Sequence, residues 1–383
     1  MDGPDSYRYG ERDVAPMPTR ELRFGEGRMS ATVTLFLGVL SFLAVLCFHF
    51  PEYLTTPNLR EVYDVDLLRT ILRVALTIAL VFGVFNVVRA TEHRRMAAVG
   101  LLAAGLAVVC GGYQVQGRAV APQPMFVGVD WFVLDLLGSV LLFVVIEKVI
   151  PKYANQAIFR PAWRLDLTYF TINHVLIGLM LIVANGFAPR VFGWAVHEGV
   201  RTWMHSLPLP LEVLVLMLAA DFVQYWVHRA FHEVPALWRF HAVHHSAEYM
   251  DWLASSRTHL FQTLTDRALV MVPLYLLGPS PAALNLYVVV AAFQAVFVHA
   301  NVSVKFGPLK YLFVTPQFHH WHHSKDKPAI DTNYAVHMPV WDFLFRTFHL
   351  PGDHWPKEYG TVHPLPPSLG GQFVYPFRRD GVE

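Results

Sequence analysis

Apolar residues run in long blocks along this chain, rather than in the short alternations of half-buried strands. A hydrocarbon core about 30 Å thick is crossed by roughly 20 apolar residues in helix. Eight blocks approach that length: residues 30–50, 67–88, 97–113, 131–150, 167–187, 208–227, 260–277 and 283–299. The last two are joined by Gly278-Pro279-Ser280-Pro281, a turn that ends one helix and starts the next. The pattern predicts an all-α fold, a polytopic transmembrane helical bundle of about eight spans. Residues 1–28 are polar, rich in Pro, Gly, Arg and Glu and without an apolar period, and are expected to form a mobile N-terminal tail. The run 29–50 reads as a span and not as a signal peptide, because its polar leader is long and no small-residue cleavage site follows at Pro51.

Lys and Arg in short loops set the orientation of spans. Arg8, Arg12, Arg20, Arg23 and Arg28, then Arg89, Arg94 and Arg95, then Lys148, Lys152, Arg160 and Arg164 fall on one side if each block crosses once. That side is expected to be cytoplasmic, and the histidine-rich stretches share it with Arg229, Arg239, Arg257 and Arg267. Composition strengthens the membrane reading, since 54% of the 383 residues are hydrophobic and only 15% charged. The net charge of +1, with no basic, aromatic-interleaved stretch, excludes a nucleic-acid partner. Cys47 and Cys110 sit inside apolar runs, which excludes a disulfide framework and a thiolate zinc site.

Histidines supply the candidate chemistry. His228, His232, His241, His244 and His245 fall within 25 residues, and His319, His322 and His323 repeat the H-x-x-H-H spacing of the second group. Positions i, i+3 and i+4 share one helix face, so each group aims two or three imidazoles at one point. A lone histidine on an apolar face is usually a hydrogen-bonded core residue. Eight in spaced groups call for a metal, and Zn, Fe, Cu and Ni all accept imidazole nitrogen. The hairpin of the last two spans returns His259 and His299 to the same side. Ten imidazoles exceed the capacity of one ion, so two metals in a cage of helix ends are expected. His49, His93, His174, His197 and His205 read as structural; His320 points away from its neighbours' face; and His337, His349, His354 and His363 have no partner at helical spacing.

From residue 207 to 350 the chain resembles the fatty acid hydroxylase and sterol desaturase superfamily, membrane oxygenases with a histidine-ligated non-haem di-iron centre. Asp221-x3-Tyr225-x2-His228-Arg229-x2-His232 is similar to that family's first box and His241-Ala242-Val243-His244-His245-Ser246 to its second. His299-Ala300-Asn301 resembles the segment between, and His319-His320-Trp321-His322-His323-Ser324 the last box. Asp331-Thr332-Asn333-Tyr334 and Trp341-Asp342 resemble its closing motif. The chain departs from the family at Ala335 and Arg346, where glycine is usual, and at Leu260, where proline is usual. Residues 1–163 lie outside the resemblance.

The resemblance implies two iron ions, replaceable by zinc, with dioxygen as co-substrate, and the loop charges put the histidine-rich cap expected to hold them on the cytoplasmic side. It implies O2-dependent hydroxylation of a C–H bond in a lipid or sterol, or desaturation on the same centre. Asp221, Asp331, Asn333, Tyr334 and Asp342 are expected to partner the imidazole N–H groups. No flavin, nicotinamide or haem motif is visible, so electrons are expected from a reductase, ferredoxin or b-type cytochrome. A zinc-dependent membrane hydrolase would place a general-base Glu within a ligand motif, and a metal transporter would place ligands midway along its spans. Here Glu233 and Glu248 follow the motifs, and the boxes sit at helix ends. The expected organisation is a tail (1–28), an N-terminal transmembrane region (29–163), a catalytic domain (164–350) and a cytoplasmic C-terminal tail (351–383), in a bacterial inner membrane.

Overall fold

The structure, a computed structural model, describes residues 28–89, 93–118, 120–121, 126–175 and 186–378. It divides into two compact units at residues 131 and 132. The expected tail lies outside the described residues, except for its last residue.

In the first unit three helices pack together: α1 (Arg28–His49), α2 (Val65–Val88) and α3 (Arg94–Val109). Small residues set the close approach of α1 and α3. A Cβ added at Gly100 would stand 2.5 Å from the backbone of Thr34 and Leu35, and one at Gly38 would stand 2.1 Å from the Gly100 carbonyl. This is the small-residue packing by which helices associate in lipid, where apolar burial alone gives little drive. Val45, Leu72, Leu76, Ala79, Ala104, Ala107 and Val115 form the core. The Asp130 carboxylate accepts from the Thr56 amide, the Thr56 hydroxyl and the Tyr63 hydroxyl, tying the connection after α1.

The chain continues through α4 (Val129–Val149), which contains one wide π-type turn at Val140–Val144. In the second unit follow α5 (Trp163–Val175), α6 (Glu198–Ser206), α7 (Leu209–Glu233), α8 (Pro235–His245), α9 (Leu260–Leu277), α10 (Pro281–Phe297) and the short α11 (Pro316–His322). Helices α7, α9 and α10 bury Val213, Leu216, Met217, Ala220, Leu274, Ala283 and Tyr287 against one another. The α9–α10 turn forms as expected: Gly278 takes φ 56°, which only glycine adopts without strain, and Ser280 caps α10. Glu212 near the start of α7 holds that turn by accepting from the Ser280 amide and hydroxyl at 2.6 and 2.7 Å.

Among the described residues, five helices are long and apolar enough to span a membrane: Ser30–His49, Val65–Val88, Val129–Val149, Leu209–Glu233 and Leu260–Leu277. Pro281–Phe297 is apolar but shorter. With these helices the protein is an integral membrane protein. The described residues do not confirm the count of eight, and the reasons are local. The expected third span is a helix of 16 residues that ends just before Gly111, at φ 81°. The expected fifth runs onto residues 176–185, outside the described residues, and its helix α5 opens on a fully buried Asp166. On α10 the inward positions are Ala283, Tyr287 and Gln294, whereas Val288, Val289 and Ala292 are exposed.

Candidate metal centre

Two of the histidine groups meet because α7 and α8 share a corner. Val234 ends one helix and starts the other, and Pro235 fits the first turn of α8, where its missing N–H costs nothing. His228 and His232 at the end of α7 thus face His241, His244 and His245 at the end of α8. His299 follows the C-terminus of α10, and α11 carries His319 and His322, with His323 as its cap.

Nine histidines form two groups. In each, one ring nitrogen of every member lies within 4.8 Å of the others: His228, His232, His241, His245 and His322 in one, His244, His299, His319 and His323 in the other. Within the first, the Nε2 of His241 stands 3.0 Å from that of His228 and 3.1 Å from that of His245, which stands 3.1 Å from that of His322. Within the second, the His299 Nε2 is 3.2 Å from that of His244 and 3.0 Å from that of His319, and His323 to His319 is 3.1 Å.

The opposite ring nitrogens decide where the protons sit. The Nδ1 atoms of His228, His244, His299 and His322 donate to the carbonyls of Tyr334, Arg257, Ala295 and Thr332 at 2.7 to 3.0 Å. A carbonyl oxygen only accepts, so each Nδ1 bears the proton and each Nε2 is left with a lone pair. Lone pairs facing one another in a buried site repel unless a cation lies among them. Two nitrogens bound at about 2.1 Å to one ion, at a right angle, stand about 3.0 Å apart, which matches the observed spacing. The donor set therefore fits two imidazole-bound metal ions.

Burial keeps these rings neutral, as ligands must be. It pushes His244 down to about 4, and it holds His241, His245, His299, His319, His322 and His323 well below the ordinary value, with repulsion among neighbouring imidazoles adding to it. An unfolded imidazole titrates near pH 6.5. Below that pH the unfolded chain binds protons that the folded chain refuses, so stability falls as pH drops. The metal-free protein is expected to hold its stability above about pH 6.5 and to lose it steadily towards pH 4. Denaturant midpoints across this range would show it, and a flat profile would refute it.

His259 joins neither group. Its Nδ1 accepts from the Phe261 amide at 3.1 Å, capping α9, and its Nε2 faces the Phe373 carbonyl at 3.3 Å. Of the five groups expected beside the rings, Asp331 has its carboxylate 3.3 Å from the His232 Nδ1, and Tyr334 serves through its carbonyl. The others brace the segment that carries those contacts. Asp221 accepts from the amides of Val336, His337 and Met338, and Asp342 from those of Tyr334 and Ala335 and from the Thr347 hydroxyl. Asn333 bonds Phe318 and His349. Arg346, where the resemblance led to glycine, takes φ 62°, a conformation that costs a non-glycine residue about 1–2 kcal/mol.

Sequence reasoning missed Gln262, whose Oε1 accepts from the His241 Nδ1 at 2.9 Å. It also missed a buried ion network. Arg160 reaches Asp166 and Asp251, each at 2.6 Å, and Arg257 reaches Asp166 at 2.5 Å. Arg160 had been read as a loop charge, yet it is 1% exposed. The available signal was Asp166, a lone carboxylate at the edge of an apolar run, since an unpaired charge there is costly. The network holds the Arg257 backbone, whose carbonyl orients His244.

A family model described as fatty acid hydroxylase matches residues 213–347. An ornithine lipid hydroxylase of Rhizobium tropici is 32% identical over 262 residues, which cover 66% of this chain and 77% of that protein. The chain belongs to the fatty acid hydroxylase/sterol desaturase superfamily. An alkylglycerol monooxygenase of Danio rerio is 32% identical over 58% of this chain and 53% of its own length. A very-long-chain aldehyde decarbonylase of Oryza sativa subsp. japonica is 29% identical over 49% of this chain and 31% of its own. No solved structure matches the chain. As a member of this superfamily the protein is a membrane oxidoreductase, and the match covers both histidine groups.

Proposed function

We propose that the protein hydroxylates a C–H bond of a membrane lipid at a centre of two iron ions, one held by His228, His232, His241, His245 and His322 and the other by His244, His299, His319 and His323. The observation that carries this reading is the set of Nε2 lone pairs facing one another with every assigned proton on the far side of its ring. Bound iron would supply the oxidising power, drawn from dioxygen, that an unactivated C–H bond requires; zinc fits the same nitrogens but has no redox chemistry. Overall, R–H, O2, two electrons and two protons give R–OH and water. The electrons come from a separate reductase, ferredoxin or b-type cytochrome.

The chain's own part is to fix the rings and aim the lipid. Four carbonyls from three segments, at Arg257, Ala295 and Thr332 to Tyr334, lock the tautomers, which keeps the Nε2 cage in place through each turnover. Both groups sit at the helix ends beyond the apolar lengths of α7 and α10, so a lipid can stay in the bilayer while one carbon reaches the centre. That end is the cytoplasmic one, in a bacterial inner membrane. Residues 29–163 form an N-terminal transmembrane region, 164–350 the catalytic domain, and 351–383 a cytoplasmic tail.

The names of the bacterial and fish relatives, an ornithine lipid hydroxylase and an alkylglycerol monooxygenase, support a lipid substrate. Lipid extracts from cells with and without the protein test this reading. A lipid gaining one oxygen atom is the expected result. A lipid losing two hydrogen atoms would make the enzyme a desaturase, and an unchanged lipidome alongside turnover of a soluble substrate would overturn the proposal.

A further inference from the structure

Inside α9, one and two turns past His259, two polar side chains stand where lipid-spanning helices rarely place them. Gln262 is 5% exposed, and its Oε1 accepts from the His241 Nδ1 at 2.9 Å. Its Nε2 donates to the Asp266 Oδ2 at 3.3 Å, one helical turn further along. The other carboxylate oxygen of Asp266 is closed off from solvent. A carboxylate in an apolar helix is expensive and is kept where it has work to do.

His241 differs from the histidines that donate to backbone carbonyls. A carbonyl can only accept, whereas a glutamine side chain can present either its oxygen or its NH2. If Gln262 turned its NH2 toward His241, the ring would have to offer a lone pair at Nδ1. The proton would then sit on Nε2, which faces the Nε2 atoms of His228 and His245 at 3.0 and 3.1 Å. That tautomer cannot bind a metal through Nε2. Asp266 removes the choice: its Oδ2 accepts, so the NH2 of Gln262 must point to it and the oxygen to His241.

We propose that Asp266 is a positioning residue which, through Gln262, holds His241 in the tautomer that presents Nε2 to the metal. The inference rests on the metal-centre reading above. It assigns the carboxylate in α9 to the five-histidine group alone, because no member of the four-histidine group touches Gln262 or Asp266 among the hydrogen bonds described.

The test uses the full chain purified in detergent, with zinc(II) as a redox-inert probe, titrated against a chromophoric chelator. Wild type should bind two ions. Asp266→Leu, which fills the space with an apolar side chain, should weaken one of the two by roughly 10–100-fold, the usual cost of losing a ligand's support, and leave the other unchanged. Adding Gln262→Glu to Asp266→Leu should restore the weakened site, because both oxygens of a carboxylate accept and no partner is needed to orient it. A packing role for Asp266 would not be rescued by a change at residue 262. Wild-type affinity in Asp266→Leu, or no recovery in the double variant, overturns the relay while the metal centre stands. Fewer than two ions in wild type overturns the centre itself, and the relay with it.

Discussion

Replacing His322 with alanine is expected to release one metal ion per chain and to leave the second bound, while His319→Ala weakens the other ion. The two residues are three apart on one short helix, yet they belong to different groups. His322 faces the Nε2 of His245, and His319 faces those of His299 and His323. Losing a direct ligand should cost more than the roughly 10–100-fold attached to disturbing a ligand's support. Turnover should be lost in both variants, since the proposed chemistry needs both ions. Metal content per chain reads the outcome directly. Two ions retained in His322→Ala, or both ions lost together, would break the division into five and four.

The histidine-bearing helices were legible because they combine two strong periodicities, the apolar run and the i, i+3, i+4 repeat of histidine. The α9–α10 turn was legible for a similar reason, with Gly278, Ser280 and Pro281 each suited to a single position. What sequence could not reveal was how the rings are held. Four of the supports are backbone carbonyls, and any residue type supplies one, so Arg257, Ala295 and Thr332 carry no mark of the role, and Tyr334, expected as a partner, acts through its carbonyl. Arg160 was misread because a buried arginine and a loop arginine look alike until a partner is found 91 residues away in Asp251. His259 was grouped with the ligands because it lies at the same end of the hairpin as His299. Its ring, however, is fully used in capping α9 and meeting Phe373, a residue of the C-terminal segment. Span counting was weakest where helices are short, as in α3, or where a run opens on charge, as in α5.

Asp221→Ala is expected to destabilise the second unit by about 3 kcal/mol and to weaken the five-histidine group at the same time. Asp221 is fully buried on α7, two turns before His228, and its carboxylate takes three consecutive amides, those of Val336, His337 and Met338. A buried N–H left without an acceptor costs about 1–3 kcal/mol; His337 is buried and Val336 and Met338 are half-buried, which sets the expected total. The segment they belong to also carries Tyr334, whose carbonyl fixes the proton of His228, so loosening it frees a proposed ligand as well as a loop. Asp221→Asn keeps one oxygen that accepts, and its effect should fall between wild type and alanine. Hydrogen exchange at residues 336–338 separates this account from simple cavity formation. Those amides should be protected in wild type, exchange fastest in Asp221→Ala and at an intermediate rate in Asp221→Asn. Equal protection in all three proteins would show that the carboxylate does not hold the segment.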